Sequence, residues 1–595
     1  MYTTSFAFFE ALWEAGVSHV FVNLGSDHPS IIEAMVKGQH ERPDRFPKII
    51  TCPNEMVALS MADGYARFSG QPQAVIVHVD VGTQGLGAAV HNASCGRAPV
   101  LIFAGLSPYT IEGETRGSRT EYIHWIQDVP DQKQIVAQYC RYSGEIKDGR
   151  NVKQLVNRAL SFATSDPQGP VYLCGAREPM EQEIKPYALD QEHWSPVGPA
   201  ALTQTAVKTI AEALVRAEQP LVVTGYSGRT HSTVGELVKL ADTVKGLRVL
   251  DTGGSDMCFP ADHRAWLGLR YGVEDAIKNA DVILVADCDV PWINTQCHPK
   301  EGAKIYHIDS DPLKQQMPVF YIKALARYKV NSGTAFHQLH TYINSTDSLR
   351  SVVNSEAFQE NWTKLEKSYH QRLDLIKSQA VAGSDGTFGP SYLINRLRQA
   401  CPQDTIWCIE AVTNTAFVAD QIQATLPGSW INCGGGGLGW SGGGALGVKL
   451  ATDKTGDPKF VCQIVGDGTY LFSVPASVYW ISERYHIPIL TIVLNNKGWN
   501  APRRSLLLVH PDGAGSKVSN EELNISFAPT PDYAGIARAA SGGKIWAGCT
   551  AKAGELDALL KEAVEVVKGG TSAVLEAQLE GPQGKFGGGR AVLVG

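Results

Sequence analysis

The chain has 595 residues, too many for one hydrophobic core; at about 100–200 residues per domain it calls for three or four. A content of 44% hydrophobic and 19% charged residues is globular rather than disordered. The 53 basic and 60 acidic residues leave a net charge of −7, with no basic block to attract nucleic acid and no stretch of about 20 apolar residues to form an ordinary transmembrane helix.

The opening segment, MYTTSFAFFEALWEAGVSHVFVNLG, reads as an amphipathic helix followed by a strand. It has neither the Arg-rich bias of a mitochondrial presequence nor the basic-then-apolar order of a signal peptide. Short Val/Ile/Leu runs follow at 73–79, 99–105, 220–225, 281–287, 459–468 and 488–496. Runs this apolar suit strands buried on both faces. Their alternation with helix-like stretches predicts α/β domains built on doubly wound parallel sheets. Such sheets bind ligands beyond the carboxyl ends of their strands.

Two stretches read as linkers. One is EIKPYALDQEHWSPVGPA (183–200); the other runs from about 344 to 389, exposed and helical before it ends in the turn cluster AGSDGTFGP. They divide the chain into blocks of 1–182, 200–343 and 388–595. The 12 cysteines include no CxxC pair, and most sit in apolar runs, as expected of buried reduced thiols. The C-terminal AVLVG carries no peroxisomal or retention signal. Together these features predict a cytoplasmic protein.

The most specific motif is GDG at Gly466–Gly468, followed one helix and one strand later by Asn495–Asn496. Both then lie at the carboxyl ends of neighbouring strands. Asp467 offers a carboxylate oxygen and Asn496 an amide oxygen, and the bend at Lys497–Gly498 can turn a backbone carbonyl to the same point. Three oxygens suit Mg²⁺ or Ca²⁺, with places left for phosphate oxygens and water. Gly468 and Thr469 open a helix whose free N–H groups favour the same phosphates.

GDG followed by NN resembles the signature of thiamine diphosphate-dependent enzymes. More narrowly, the whole chain resembles the group that holds acetohydroxyacid synthase, pyruvate decarboxylase and benzoylformate decarboxylase. The resemblance implies a pyrimidine-binding domain at 1–182, a central domain at 200–343 and a diphosphate-binding domain at 388–595. It also implies thiamine diphosphate and Mg²⁺ as cofactors, with Asp467, Asn496 and Gly498 on the metal. Active sites would lie between subunits of a homodimer or homotetramer. CPNEMVALSMADGYAR (52–67) is similar to the family's glutamate segment, with Glu55 in the place of the carboxyl group that bonds the pyrimidine N1′ and favours the imine that deprotonates C2. CGGGGLGWSGGGALG (433–447) resembles the glycine-rich segment. There Leu438 would wedge between the cofactor's rings, a proximity device, and Gly436 would bring a carbonyl to the 4′-amino group. Gly443 and Gly444 depart from the usual Pro-Ala, which puts the local backbone in question. Val412 and Thr413, in IEAVTNT, align with the turn that holds the diphosphate.

Three positions narrow the reaction. NLGSDHPS places Ser26 where benzoylformate decarboxylase has a serine, pyruvate decarboxylases an aspartate and the synthases a glycine. VIVHVDVGTQG places His78 on a catalytic histidine of benzoylformate decarboxylase, and imidazole carries protons well near neutral pH. NNKGWNAPRR aligns Ala501 with an alanine of that pocket, beside Trp499, and puts Pro502 in place of pyruvate decarboxylase's glutamate. Against this, YIHWIQD aligns Gln127 with the glutamine of the synthases, and His124 has no adjoining histidine. Trp292 or Asn294 would face the site from the central block. LGLRYG (267–272) is a poor match to the synthase segment near FAD, so FAD is left open but not expected. The expected activity is decarboxylation of a small-molecule 2-oxo acid, with release of an aldehyde or carboligation to a 2-hydroxyketone. Acetohydroxyacid synthase-like carboligation and cofactor binding without turnover stand as alternatives.

Overall fold

A computed structural model describes residues 1–580; the end of the last block, including AVLVG, lies outside the described residues. Three sheets of six parallel strands follow one another along the chain. The first holds β1 (His19–Val22), β2 (Lys48–Thr51), β3 (Gln73–Val77), β4 (Val100–Leu106), β5 (Tyr142–Glu145) and β6 (Val171–Ala176) in the order 2-1-3-4-6-5. The second holds β7 (Pro220–Thr224), β8 (Arg248–Asp251), β9 (Trp266–Leu269), β10 (Val282–Ala286), β11 (Lys304–Asp309) and β12 (Ala326–Lys329), ordered 12-11-10-7-8-9. The third holds β13 (Ile406–Glu410), β14 (Trp430–Asn432), β15 (Val461–Gly466), β16 (Leu490–Asn495), β17 (Trp546–Thr550) and β18 (Ala573–Gln578), ordered 14-13-15-16-18-17. The fold is therefore α/β with doubly wound parallel sheets. Central strands such as β3, β10 and β16 are buried throughout, which is why their sequences are continuously apolar.

Counted from its own first strand, the third sheet repeats the order of the first. In both, the chain's direction of winding reverses between the first and third strands. Ligands of doubly wound sheets bind in the crevice at that reversal. Ser26 follows β1 and His78 follows β3; Val412 follows β13 and Asp467 follows β15.

The first and third sheets are joined by helices Glu55–Ser69 and Trp440–Lys454, which meet backbone to backbone. A Cβ on Gly64 would overlap the Gly444 carbonyl oxygen, and one on Gly447 the Met61 carbonyl oxygen. One on Gly443 would come within 2.8 Å of Val57 O. Gly443 and Gly444 thus answer the question raised by their departure from Pro-Ala. They lie in regular helix: the other helix occupies the space of a side chain at Gly443, and the Trp440 ring of the same helix occupies it at Gly444. Arg67, on the first helix, donates to Asn432 O at 2.7 Å and Ser255 O at 2.9 Å, tying all three sheets together. Among the described residues no helix is long and apolar enough to cross a membrane.

This packing makes two opposite predictions for glycine-to-alanine changes in helices. Gly64→Ala should lower stability by about 1–3 kcal/mol, because the contact is already full. Gly235→Ala, in helix His231–Thr243 with open space where the methyl group would go, should raise it by up to about 1 kcal/mol. Denaturant unfolding of the two variants checks both signs.

Candidate active site

At the carboxyl end of the first sheet, five strands deliver polar side chains to one region. Glu55 opens its helix just beyond β2, where Asn54 accepts the Val57 amide and fixes the helix start. The Glu55 carboxylate comes within 3.8 Å of His78 Nε2, and a Cβ on Gly85 would reach 2.9 Å from Glu55 Oε2. His78 is itself flanked by glycine. A Cβ on Gly25 would stand 2.5 Å from the His78 Cβ. Ser26 Oγ lies 3.5 Å from Nε2 of His124, which the loop after β4 buries completely.

Several partners in this region are not visible as motifs. Asp27, one residue beyond Ser26, accepts the Val79 amide at 3.1 Å, and its Oδ1 is buried without a partner. Burial pushes its carboxyl up to about 6. Burial also drops His28 to about 3, so its ring is neutral; Gly25 N donates to Nδ1, leaving the proton on Nε2, 3.2 Å from Asp27 Oδ2. His124 is shifted down by burial and then by the Arg177 guanidinium, which follows β6. Gln132 spans the region, accepting from Asp80 N and donating to Gly105 O and Tyr172 Oη. Gln127 is half-buried and has no such web. A buried glutamine or arginine of this kind could be read from sequence only as an ordinary polar residue at a strand end.

The third sheet builds a second cluster. Asp467 is almost fully buried and accepts from Gly468 N at 2.8 Å and Gly498 N at 3.0 Å. Burial raises its carboxyl to about 6. Gly498 has φ of +146°, and a Cβ there would overlap Ile525 O, so only glycine can make this turn. Asn495 is spent on Glu576 at 2.8 Å, whereas Asn496 Oδ1 is buried with no partner. A buried oxygen without a partner calls for a donor or a cation. Beside the Asp467 carboxylate, a hard divalent cation fits. Gly468 carries the Trp499 ring against it, and Trp499 packs edge-on against Phe472 and Phe527. Thr469 is buried behind it, while Ala501 is exposed on helix Asn500–Val509.

The glycine-rich loop is held by helix Gly87–Cys95 of the first domain. Gly436 N donates to His91 Nε2 at 3.0 Å, and Asn92 exchanges two hydrogen bonds with Gly437. Leu438 is half-buried. The helix behind it starts on Glu410, whose carboxylate accepts the amides of Gly439, Trp440 and Ser441. Val412 is exposed and left-handed, at φ of +48°, an outlier for a β-branched residue beside the half-buried Thr413. Trp292 does not face either cluster: it is buried in the core of the second sheet, edge-on to Tyr321. Elsewhere, Glu236, His337 and His340 could together offer three metal-ligand atoms, but Lys239 already holds the Glu236 carboxylate at 2.7 Å.

Three family models match the chain. A thiamine pyrophosphate enzyme N-terminal TPP binding domain covers residues 2–135, a central domain 207–318 and a C-terminal TPP binding domain 411–577, together more than half of the sequence. The chain belongs to the thiamine pyrophosphate enzyme family. It is 24% identical to benzoylformate decarboxylase of Pseudomonas aeruginosa over 90% of this chain and 92% of that protein. It is 23% identical to a probable acetolactate synthase large subunit of Methanocaldococcus jannaschii, over 75% and 73% of the two chains. The solved structure of a thiamine diphosphate-dependent 4-hydroxybenzoylformate decarboxylase from Rhodococcus jostii superposes with a TM-score of 0.77. It is 22% identical and covers 98% of this chain and 100% of its own.

In this thiamine pyrophosphate enzyme, Ser26, Glu55 and His78 lie in the N-terminal TPP binding domain, and Asp467 and Asn496 in the C-terminal one. No hydrogen bond among the described residues joins the two clusters within one chain. Asp467→Ala removes the carboxylate of the GDG motif, so the variant should lose binding of both Mg²⁺ and thiamine diphosphate. Titration calorimetry with each ligand checks this, and retained tight binding would remove Asp467 from the metal's ligands.

Proposed function

We propose that the protein is a thiamine diphosphate- and Mg²⁺-dependent lyase that decarboxylates a 2-oxo acid to an aldehyde, with carboligation to a 2-hydroxyketone when an acceptor carbonyl is present. The observation that carries this reading is the approach of His78 to Glu55, 3.8 Å apart beside Ser26 at the switch point of the first sheet. A carboxyl group and an imidazole so placed can hold one proton and move another around a single reacting centre.

Asp467 Oδ, Asn496 Oδ1 and the Gly498 carbonyl would hold Mg²⁺, and Val412, Thr413, Gly468 and Thr469 the diphosphate. Leu438 would sit between the cofactor's rings, and the Gly436 carbonyl at its 4′-amino group. When bound, the cofactor would supply a nucleophilic thiazolium carbon and an electron sink for the bond to CO₂. Glu55 holds the proton at N1′. Ser26 orients the substrate carboxylate, and His78 delivers a proton to the carbon that CO₂ has left. Gln127, Trp499 and Ala501 shape the pocket. Since no hydrogen bond among the described residues of one chain joins the two clusters, we assign the complete site to the interface of a homodimer or homotetramer. All 12 cysteines are free thiols, which favours a reducing, cytoplasmic setting.

A second reading, acetohydroxyacid synthase-like carboligation, draws on Gln127 and on the likeness to the acetolactate synthase subunit. FAD has little support, because Arg270 of LGLRYG is committed to Asp420 at 2.9 Å.

A panel of 2-oxo acids, assayed for CO₂ and, with an added aldehyde, for 2-hydroxyketones, separates the readings. Glu55→Gln should keep the cofactor bound and slow C2 proton exchange by more than the ~10²–10⁴ typical of one acid–base group, because every later step depends on it. His78→Ala should leave that exchange intact and lower turnover by ~10²–10⁴. Exchange at the wild-type rate in Glu55→Gln would move the catalytic carboxyl elsewhere. A His78→Ala variant that melts early but turns over normally would make the histidine a packing residue.

A further inference from the structure

Arg177 stands at the carboxyl end of β6, on the same edge as Ser26, His78 and His124. It is 8% exposed. Its guanidinium donates from Nη1 to Thr120 Oγ1 at 3.0 Å and otherwise meets only His124, at 3.5 Å; Nε is buried with no partner. Among the described residues it takes part in no ion pair. Two carboxylates follow it in the chain, neither in an ion pair with it, and Glu178 Oε2 is buried with no partner. Glu178 accepts from Tyr109 N, Thr110 N and Thr110 Oγ1, and Glu181 pairs with Arg116 at 3.4 Å. A buried guanidinium left without a counter-charge is costly, and it is the kind of group that marks an anion site.

The geometry around its tip says the same. Arg177 Nη1 lies 3.5 Å from His124 Nε2. Thr120 N donates to His124 Nδ1, so the neutral ring carries its proton on Nε2. Two N–H groups therefore converge, and the hydroxyl that His124 Nε2 can reach, Ser26 Oγ, is 3.5 Å away. An anionic oxygen between Arg177 and His124 would satisfy both.

The departing carboxylate is a poor occupant. Its charge leaves in the transition state, so an arginine bound to it would stabilise the ground state more than the transition state. A group that keeps its charge throughout has no such cost. We propose that the substrate carries a second anionic group at its far end, a carboxylate or sulfonate, and that Arg177 with His124 selects for it. This rests on the 2-oxo acid reading above and names its substrate class.

The test uses the holoenzyme and charged and uncharged 2-oxo acids of matched length: 2-oxoglutarate against 2-oxopentanoate, 2-oxoadipate against 2-oxohexanoate, and 3-sulfopyruvate against 2-oxobutanoate. For at least one pair, kcat/KM should favour the charged member about 10- to 100-fold, the range of a hydrogen bond to a charged group. Arg177→Met should erase that preference through KM and leave the uncharged member within about threefold, and Arg177→Lys should keep part of it. An uncharged member preferred in every pair overturns the proposal, as does a loss in Arg177→Met that falls equally on both members, which would place the arginine on the departing carboxylate. Should Arg177→Met not fold, Arg177→Lys and Arg177→Gln carry the same comparison. Calorimetry with glutarate and pentanoate, which cannot react, separates this proposal from its parent reading. If no 2-oxo acid turns over, the decarboxylase reading fails; glutarate binding that Arg177→Lys or Arg177→Gln weakens about tenfold still upholds the anion site, and its absence overturns it.

Discussion

Two helices touch through their backbones, and the placement of the candidate site follows from that contact. Gly64, Gly443, Gly444 and Gly447 strip the side chains from the crossing of Glu55–Ser69 with Trp440–Lys454. The first of these helices starts at Glu55. The second follows directly on the glycine-rich loop and Leu438. Holding their axes this close fixes the spacing between the first and third domains. The cost is conformational: glycine in a helix interior gives up about 1 kcal/mol relative to alanine. Burial along the whole crossing and the Arg67 links to Ser255 and Asn432 offset it.

The carboxylates of the two clusters share one electrostatic character. Burial raises Asp27 and Asp467 to about 6 and Glu410 to about 7, and in each case backbone amides pull in the opposite direction. Such groups are held by N–H donors rather than by ion pairs. That leaves their charge available to a cation or a proton that arrives with a ligand. Arg177 is the counterpart with opposite sign, a buried cation facing further donors. The region beside Ser26 is thus polarised for an anion, and the region beside Asn496 for a metal.

The repeated strand order explains why the two clusters occupy equivalent places. Each sheet is wound the same way, so each opens its crevice between the first and third strands. One crevice collects an acid and two imidazoles; the other collects oxygen donors and a strained turn at Val412. Two such half-sites, each open on one side, suit a ligand with two chemically different ends.

Much of this was legible in the sequence, and the physical reason is locality. Continuously apolar runs announced buried parallel strands, and Gly-Asp-Gly with Asn-Asn placed Asp467 and Asn496 at neighbouring strand ends, because a strand and the turn after it lie within a few residues. The family likeness extended this to Glu55, Ser26 and His78. What stayed hidden depends on residues far apart in the chain. The purpose of Gly443 required knowing which helix lies across it. The repeated strand order left no visible trace, because topology is preserved by burial pattern rather than by residue identity. Trp292 went into a core instead of a pocket, since an aromatic ring at a strand end can turn either way. Arg177, 53 residues beyond His124 in the chain, became significant only when the sheet set their nitrogens side by side and left its Nε without a partner. A missing partner is a property of three-dimensional packing, and no sequence pattern records it.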